Sequence, residues 1–197
     1  MYLSRETGGR QSESIGLSNL GLLYHLIGEQ DKARDCSIQA VEMARQNGDH
    51  RLEAYALTHL GHALLALGRA EQAGAAYERA WKLRRALGAM HLAVESQAGL
   101  ARASLARGRI AHALAHAEEI LHYLESHSLD GTEEPLRVYW TCYQVLRAAG
   151  DGRADSILEA ARRTLYDRAE RIGDEAMKRS FLEKVPLHRE IQAASPA

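Results

Sequence analysis

A chain of 197 residues that is 46% apolar is long enough for one domain or a short repeat array with a continuous core. Aromatics make up only 6% and alanine is plentiful, which suits helices packed through small side chains and speaks against a β-sandwich. The formal net charge of −1, from 25 basic and 26 acidic residues, leaves no global drive toward nucleic acid or an anionic membrane.

The opening MYLSRETGGR has no apolar signal core, so no export signal is expected. Arg5 to Arg10 matches Arg45 to His50 by position, and the latter stretch ends a predicted helix. Residues 2–7 therefore read as the end of a repeat whose beginning is absent, or else as a short N-terminal cap. From Ser14 to Ile27, Leu17, Leu20, Leu23, Tyr24 and Ile27 fall on one helical face. Gly28 stops that helix, and Asp31 is the expected N-cap of the next, which runs to about Asn47. The same grammar gives helices over His50–Leu67, Ala70–Leu87, Met90–Arg107 and Ile110–His127. A longer turn from Ser128 leads to Pro135, suited to a first helical turn, and a helix to about Ala149. Then come a long helix from Ala154 to Ile172, another after Gly173, a break at Pro186 and a short tail helix near Leu187–Ile191.

Four registers share one period of 40 residues. Leu20-Gly21 becomes Leu60-Gly61 and Leu100-Ala101. Gly28 becomes Gly68 and Gly108, Ala33 becomes Ala73 and Ala113, and Gly8 becomes Gly48 and Gly88. A period of this length marks a solenoid, in which each unit buries its apolar face by stacking on its neighbours.

These residues resemble the tetratricopeptide repeat (TPR). Unit one supplies Leu17, Leu20, Gly21, Tyr24, Gly28, Ala33, Ser37 and Ala40. Unit two supplies Leu57, Leu60, Gly61, Leu64, Gly68, Ala73, Tyr77 and Ala80. Unit three is weaker, with Gln97, Leu100, Ala101, Ser104, Gly108, Ala113, Ala117 and Ile120. The family's tryptophan and closing proline are missing, and the repeat exceeds the common length. The resemblance implies an all-α, right-handed superhelical TPR-like solenoid of antiparallel helix pairs. Residues 1–12 would be the remnant or cap, 13–127 three units, 128–172 a fourth irregular pair, and 173–197 a capping helix and tail. The stretch from Arg179 to Ile191 is similar to the end of large bacterial ATPase- or cyclase-type signalling and transcription regulators, which carry a C-terminal TPR array.

In a TPR helix pair the first helix faces a concave groove. By register the expected partner-binding residues are Asn19, Leu22, His25, Tyr55, Thr58, His59, His62, Glu95 and Arg102, alongside Ile15, Ser18, Ala98 and Gly99. Such a mixed surface suits a peptide or a partner helix. Binding there is expected to weaken below about pH 6 if neutral imidazoles accept hydrogen bonds. The asparagine that in peptide-binding relatives precedes Leu-Gly is matched only by Asn19, with His59, Gly99 and Tyr139 in the other places.

Chemistry is sparsely signalled. His112 and His116 at i, i+4, with His122 on the same helix, have a zinc-compatible spacing but no HExxH and no fixed acidic third ligand. No phosphate-binding loop, nucleophile elbow or dinucleotide fingerprint occurs, so no cofactor is expected. Cys36 and Cys142 read as free thiols in a cytoplasmic protein. The expected function is a protein- or peptide-binding domain within a larger bacterial regulator. A self-associating scaffold, joined through the N-terminal end, is the alternative, and a metal-dependent enzyme the outsider.

Overall fold

The computed structural model describes residues 3–195, with side chains from Gln11 onward. Its ten helices among these residues are α1 (Leu3–Leu26), α2 (Gln30–Gln46), α3 (His50–Ala66), α4 (Ala70–Ala86), α5 (Met90–Ala106), α6 (Ile110–Leu124), α7 (Pro135–Ala148), α8 (Ala154–Glu170), α9 (Glu175–Lys184) and α10 (Pro186–Ala193). Each helix packs on the next in sequence, and the odd helices also touch one another: α1 on α3, α3 on α5, α5 on α7. That pattern is a TPR-like solenoid of antiparallel pairs, with the odd helices forming its inner row.

The helices end where glycine lets the chain reverse. Gly28, Gly48, Gly68, Gly88, Gly108 and Gly150 all have positive φ. At Gly48 the closure is complete: its N–H donates to Arg45 O at 3.1 Å, and Asp49 N–H to Ala44 O at 2.9 Å. This double bond satisfies carbonyls that the helix leaves open. Asp49 then caps α3 by accepting from Leu52 N–H at 2.9 Å. Nothing lies within 4 Å of a Cβ placed on Gly68, so Gly68→Ala tests backbone strain alone. It is expected to destabilise by about 1–2 kcal/mol, the cost of a left-handed non-glycine residue. A neutral result in urea melts would show that this turn does not require its left-handed residue.

Three boundaries differ from expectation. Helix α1 runs straight through Gly8 and Gly9, because glycine permits a left-handed turn without imposing one. Of the segment 2–7, Tyr2 lies outside the described residues, and only the backbone of the rest is described. Asp31 is not the N-cap of α2; Glu29 is, and Asp31 sits in the first turn, paired with Arg34 at 2.7 Å. Helix α6 stops at Leu124 rather than near His127, and the chain from 125 to 134 becomes a loop.

Small residues set the packing. Ala33, Ala73 and Ala113 are wholly buried at equivalent points of their pairs, where any larger side chain would force neighbouring helices apart. Between α3 and α5 the spacer is the Tyr77 ring. A Cβ on either Gly61 or Gly99 would fall inside the van der Waals shell of that ring. The ring is fully buried and joins Leu57, Leu64, Ala80 and Ala103 in one cluster.

At the other end α9 and α10 fold back over α7 and α8. Phe181, Leu182, Leu187 and Ile191 cluster with Leu136 and Leu165. Polar contacts fasten them: Arg162 donates to Ile191 O at 3.3 Å and to Ala194 O, and Gln192 to Leu182 O at 2.8 Å.

Candidate functional site: a partitioned concave groove

The inner row carries unusually polar positions. On α3, His59 and His62 are both buried and face inward. The His59 Nδ1 lies 3.1 Å from both Oγ and O of Ser18 on α1. The His62 Nδ1 lies 2.8 Å from Tyr77 Oη, and its Nε2 is 3.0 Å from Glu134 Oε2. Glu134 also takes a bond from Arg137 Nε at 2.8 Å. These contacts define one protonation pattern. The Tyr77 hydroxyl donates to Nδ1, and the neutral imidazole donates Nε2–H to the carboxylate.

Burial sets the charges. It drives the His59 pKa down to about 4 and that of His62 down to about 3, outweighing Ser18 in the first case and Glu134 in the second. Burial also lifts the Tyr77 hydroxyl to about 12. Burial pushes Glu134 the other way, but His62 and Arg137 prevail and hold its carboxyl well below the usual range. Both imidazoles are thus neutral at pH 6. Neither of these two rings can therefore supply the expected loss of binding near that pH.

The second polar position is Glu95 on α5. Its Oε1 accepts the backbone N–H of Glu133, and that of Glu134 at 2.9 Å, so it caps α7 from another helix. Glu134 provides no side-chain cap of its own, and Pro135 occupies the first turn. Glu95 Oε2 pairs with buried Arg84 at 3.3 Å. Arg84 also donates to Leu92 O at 2.7 Å and lies over the Tyr55 ring at 5.2 Å. Burial raises the Glu95 pKa, with Arg84 and the two N–H groups pulling against it.

The loop between α6 and α7 therefore fills the middle of the groove with the protein's own chain. Leu129 is buried in the cluster of Val94, Ala98 and Val138. Glu133 and Glu134 close over His62 and Glu95. Two clefts remain. The first, about 340 Å³, is bordered by Ile15, Ser18, Asn19, Tyr55, His59 and Glu133. The second, about 310 Å³, is bordered by His25, Arg102, Arg137, Trp140, Leu187 and Glu190 among others.

The expected groove residues are thus divided. Asn19, Tyr55 and His59 meet at the first cleft, and His25 and Arg102 at the second. Thr58, His62 and Glu95 are buried beneath the surface, with Thr58 Oγ1 bonded to Ala54 O at 2.9 Å. Leu22 is half-buried and borders neither cleft. Gly99 seats Tyr77 instead of facing a ligand.

Arg137, Trp140 and Gln144 on α7 were not anticipated. The signal lay in the turn glycines. Gly150 follows Gly108 by 42 residues rather than 40. That shift takes Tyr139 out of the groove register and puts Arg137, Trp140 and Gln144 in it. Among the described residues no three His, Cys, Asp or Glu side chains converge as a metal site, and no helix is long and apolar enough to cross a membrane. His112 and His116 gain no third ligand there.

Comparison with known proteins agrees with this geometry. Residues 12–86 match the family model described as "Tetratricopeptide repeat". No curated protein is significantly similar to the chain. Among solved structures, BtubC (BKLC) from P. vanneervenii is 20% identical, with a TM-score of 0.63, covering 82% of this chain and 65% of its own. The chain thus spans a little under two thirds of BtubC. A candidate kinesin light chain with nearly identical TPR-like repeats from Podosopora anserina is 17% identical, with a TM-score of 0.60, covering 91% of this chain and 96% of its own. A point variant of that protein is 19% identical, with the same TM-score, covering 90% of this chain and 93% of its own. At these identities the likeness is one of fold.

Proposed function

We propose that this chain is a protein- or peptide-binding TPR-like domain, acting in the cytoplasm as the sensing or interaction part of a larger bacterial regulator. The reading rests on the first cleft. Ile15, Leu52 and Tyr55 give it an apolar floor. The Asn19 amide and the Tyr55 hydroxyl stand beside that floor with no hydrogen bond among the described residues. Arg84 under the Tyr55 ring fixes its position. An apolar slot with a few unengaged polar groups suits an extended peptide: the slot takes a side chain and the polar groups take backbone. The regulator setting is supported by the likeness of Arg179 to Ile191 to the ends of such proteins.

Peptides selected against the domain from a displayed library test the site. Tyr55→Ala is expected to weaken them by about thirtyfold or more, as loss of an aromatic anchor does. Peptides that bind the outer helices and ignore both Tyr55→Ala and Asn19→Ala would overturn the assignment.

A second reading, self-association, has its own observation. Leu20 and Leu23 on α1 and Ile27 just past its end form one row, 42%, 51% and 62% exposed. One period later, where a preceding pair packs on α3, Ala63 is fully buried and Leu60 and Leu67 are half-buried. The α1 row is shaped to receive packed helices, and a second copy offers the same row. Sedimentation should show a concentration-dependent dimer that Leu23→Glu abolishes. A strict monomer at high concentration counts against this reading.

A further inference from the structure

The second cleft is lined by hydrogen-bond donors that lack acceptors. Arg102 of α5 makes no hydrogen bond or ion pair among the described residues, and its Nη1 is shut away from solvent. An arginine does not discharge in such a setting, so its charge remains. Across the cleft stands Arg137 of α7, whose Nε holds Glu134 while its Nη groups are unengaged. The Trp140 indole N–H and the Gln144 amide on the same wall also have no partner among the described residues. Leu26, Val185, Pro186 and Leu187 supply the apolar side.

The acceptors present do not answer these donors. His25 Nδ1 is 2.8 Å from Gln30 Oε1, which it must face as a donor, and burial lowers its pKa, leaving the ring neutral. Glu190 of α10 lines the cleft yet forms no ion pair with either arginine. Glu134 and Glu190 act on Arg102 only at a distance; a buried guanidinium with no directly bonded acceptor is costly, and a bound carboxylate removes that cost.

We propose that the cleft between α1, α5, α7 and α10 is a binding site for a small organic acid: one carboxylate held by Arg102 and Arg137, and a short apolar body against Trp140 and Leu187. Unfilled donors select the ligand. With Glu134 on Arg137 and Glu190 at the edge the cleft is close to neutral overall, so a single carboxylate fits the free guanidinium donors and a dianion is disfavoured. The volume sits at the lower end for ligand pockets, about 300 Å³ and upward, so the acid is small. This site is separate from the peptide cleft at Tyr55, and either can fail without the other.

Titration calorimetry on the whole chain, in a buffer free of carboxylates, tests the proposal with four probes: phenylacetate, phenylacetamide, inorganic phosphate, and a short peptide ending in phenylalanine as free acid or amide. Phenylacetate should bind at least about tenfold more tightly than phenylacetamide and more tightly than phosphate. Arg102→Met should weaken it by about thirtyfold or more. The same variant, freed of an unpaired charge, should melt no lower than wild type without ligand. If the peptide acid matches phenylacetate and its amide does not, a chain end is the source of the carboxylate. If only phenylacetate binds, the source is a free metabolite-sized acid. Both results support the site. Equal binding of acid and amide, tighter binding of phosphate, or no binding of phenylacetate up to about 10 mM would overturn it. So would an Arg102→Met variant that melts well below wild type, because the guanidinium would then have a partner inside the protein.

Discussion

Replacing Tyr77 with alanine should cost about 3–5 kcal/mol, the range for emptying a buried aromatic site. The ring is the spacer between α3 and α5, and its hydroxyl donates to His62 Nδ1, leaving Nε2–H to face Glu134. Removing it opens a cavity and leaves the His62 Nδ1 without a partner. The glycines on either side give a sharper test. Helix propensity alone favours Gly→Ala by about 1 kcal/mol. At Gly61 a methyl would collide with the ring, so Gly61→Ala should instead destabilise by about 1–3 kcal/mol. In a Tyr77→Ala background the same substitution should become neutral or stabilising, because the obstacle is gone. Urea melts of the four-member cycle give the coupling directly. Additive effects would show that ring and glycine do not meet.

Acid should unfold the protein through its inner histidines. An unfolded histidine takes up a proton near pH 6.5, whereas His59 resists until about pH 4 and His62 until about pH 3. Between those limits the unfolded state binds more protons, so stability falls as the pH falls. The slope is up to about 1.4 kcal/mol per pH unit for each ring, so the pair can remove roughly 5 kcal/mol between pH 6.5 and 4.5. Glu95 and Glu133 act in the opposite direction, because burial raises their folded pKa values and the folded state then takes up their protons first. The two rings should carry the drop between pH 6.5 and 4.5, and the two glutamates reduce it. His59→Asn with His62→Gln keeps amide groups near the bonded ring nitrogens and removes the titration. Its urea midpoint should fall much less over that window, the remainder coming from His25, His116 and His188, whose pKa values burial also lowers. A double variant as steep as wild type would show that the imidazoles are not the groups responsible.

The 40-residue period made the helix pairs, the turn glycines and the buried alanines legible. Each of these is decided within one repeat, by local backbone geometry and by contact with the next unit. The same register placed the inward-facing positions on α1, α3 and α5. It could not show that the groove is occupied, because that depends on Glu95 meeting the backbone of Glu133, 38 residues further on. No local pattern marks an acidic pair before a proline as the occupant of a distant surface. The two-residue shift in the fourth unit then hid Arg137 and Trp140. A register taken from the turn glycines, which fix where each helix ends, would have recovered both.

The bond between His62 and Glu134 also bears on how the molecule comes apart. An open stack of repeats touches only its neighbours, so it can fray from an end, one unit at a time. Here the second helix pair is clasped to the start of the seventh helix, and α5 holds the same loop through Glu95. The fourth unit cannot leave without exposing the second, and the second cannot leave without stranding a carboxylate. Slow hydrogen exchange in α3, α5 and α7 should therefore share one opening free energy instead of grading along the chain. In mechanical terms the array is a closed buckle rather than a spring.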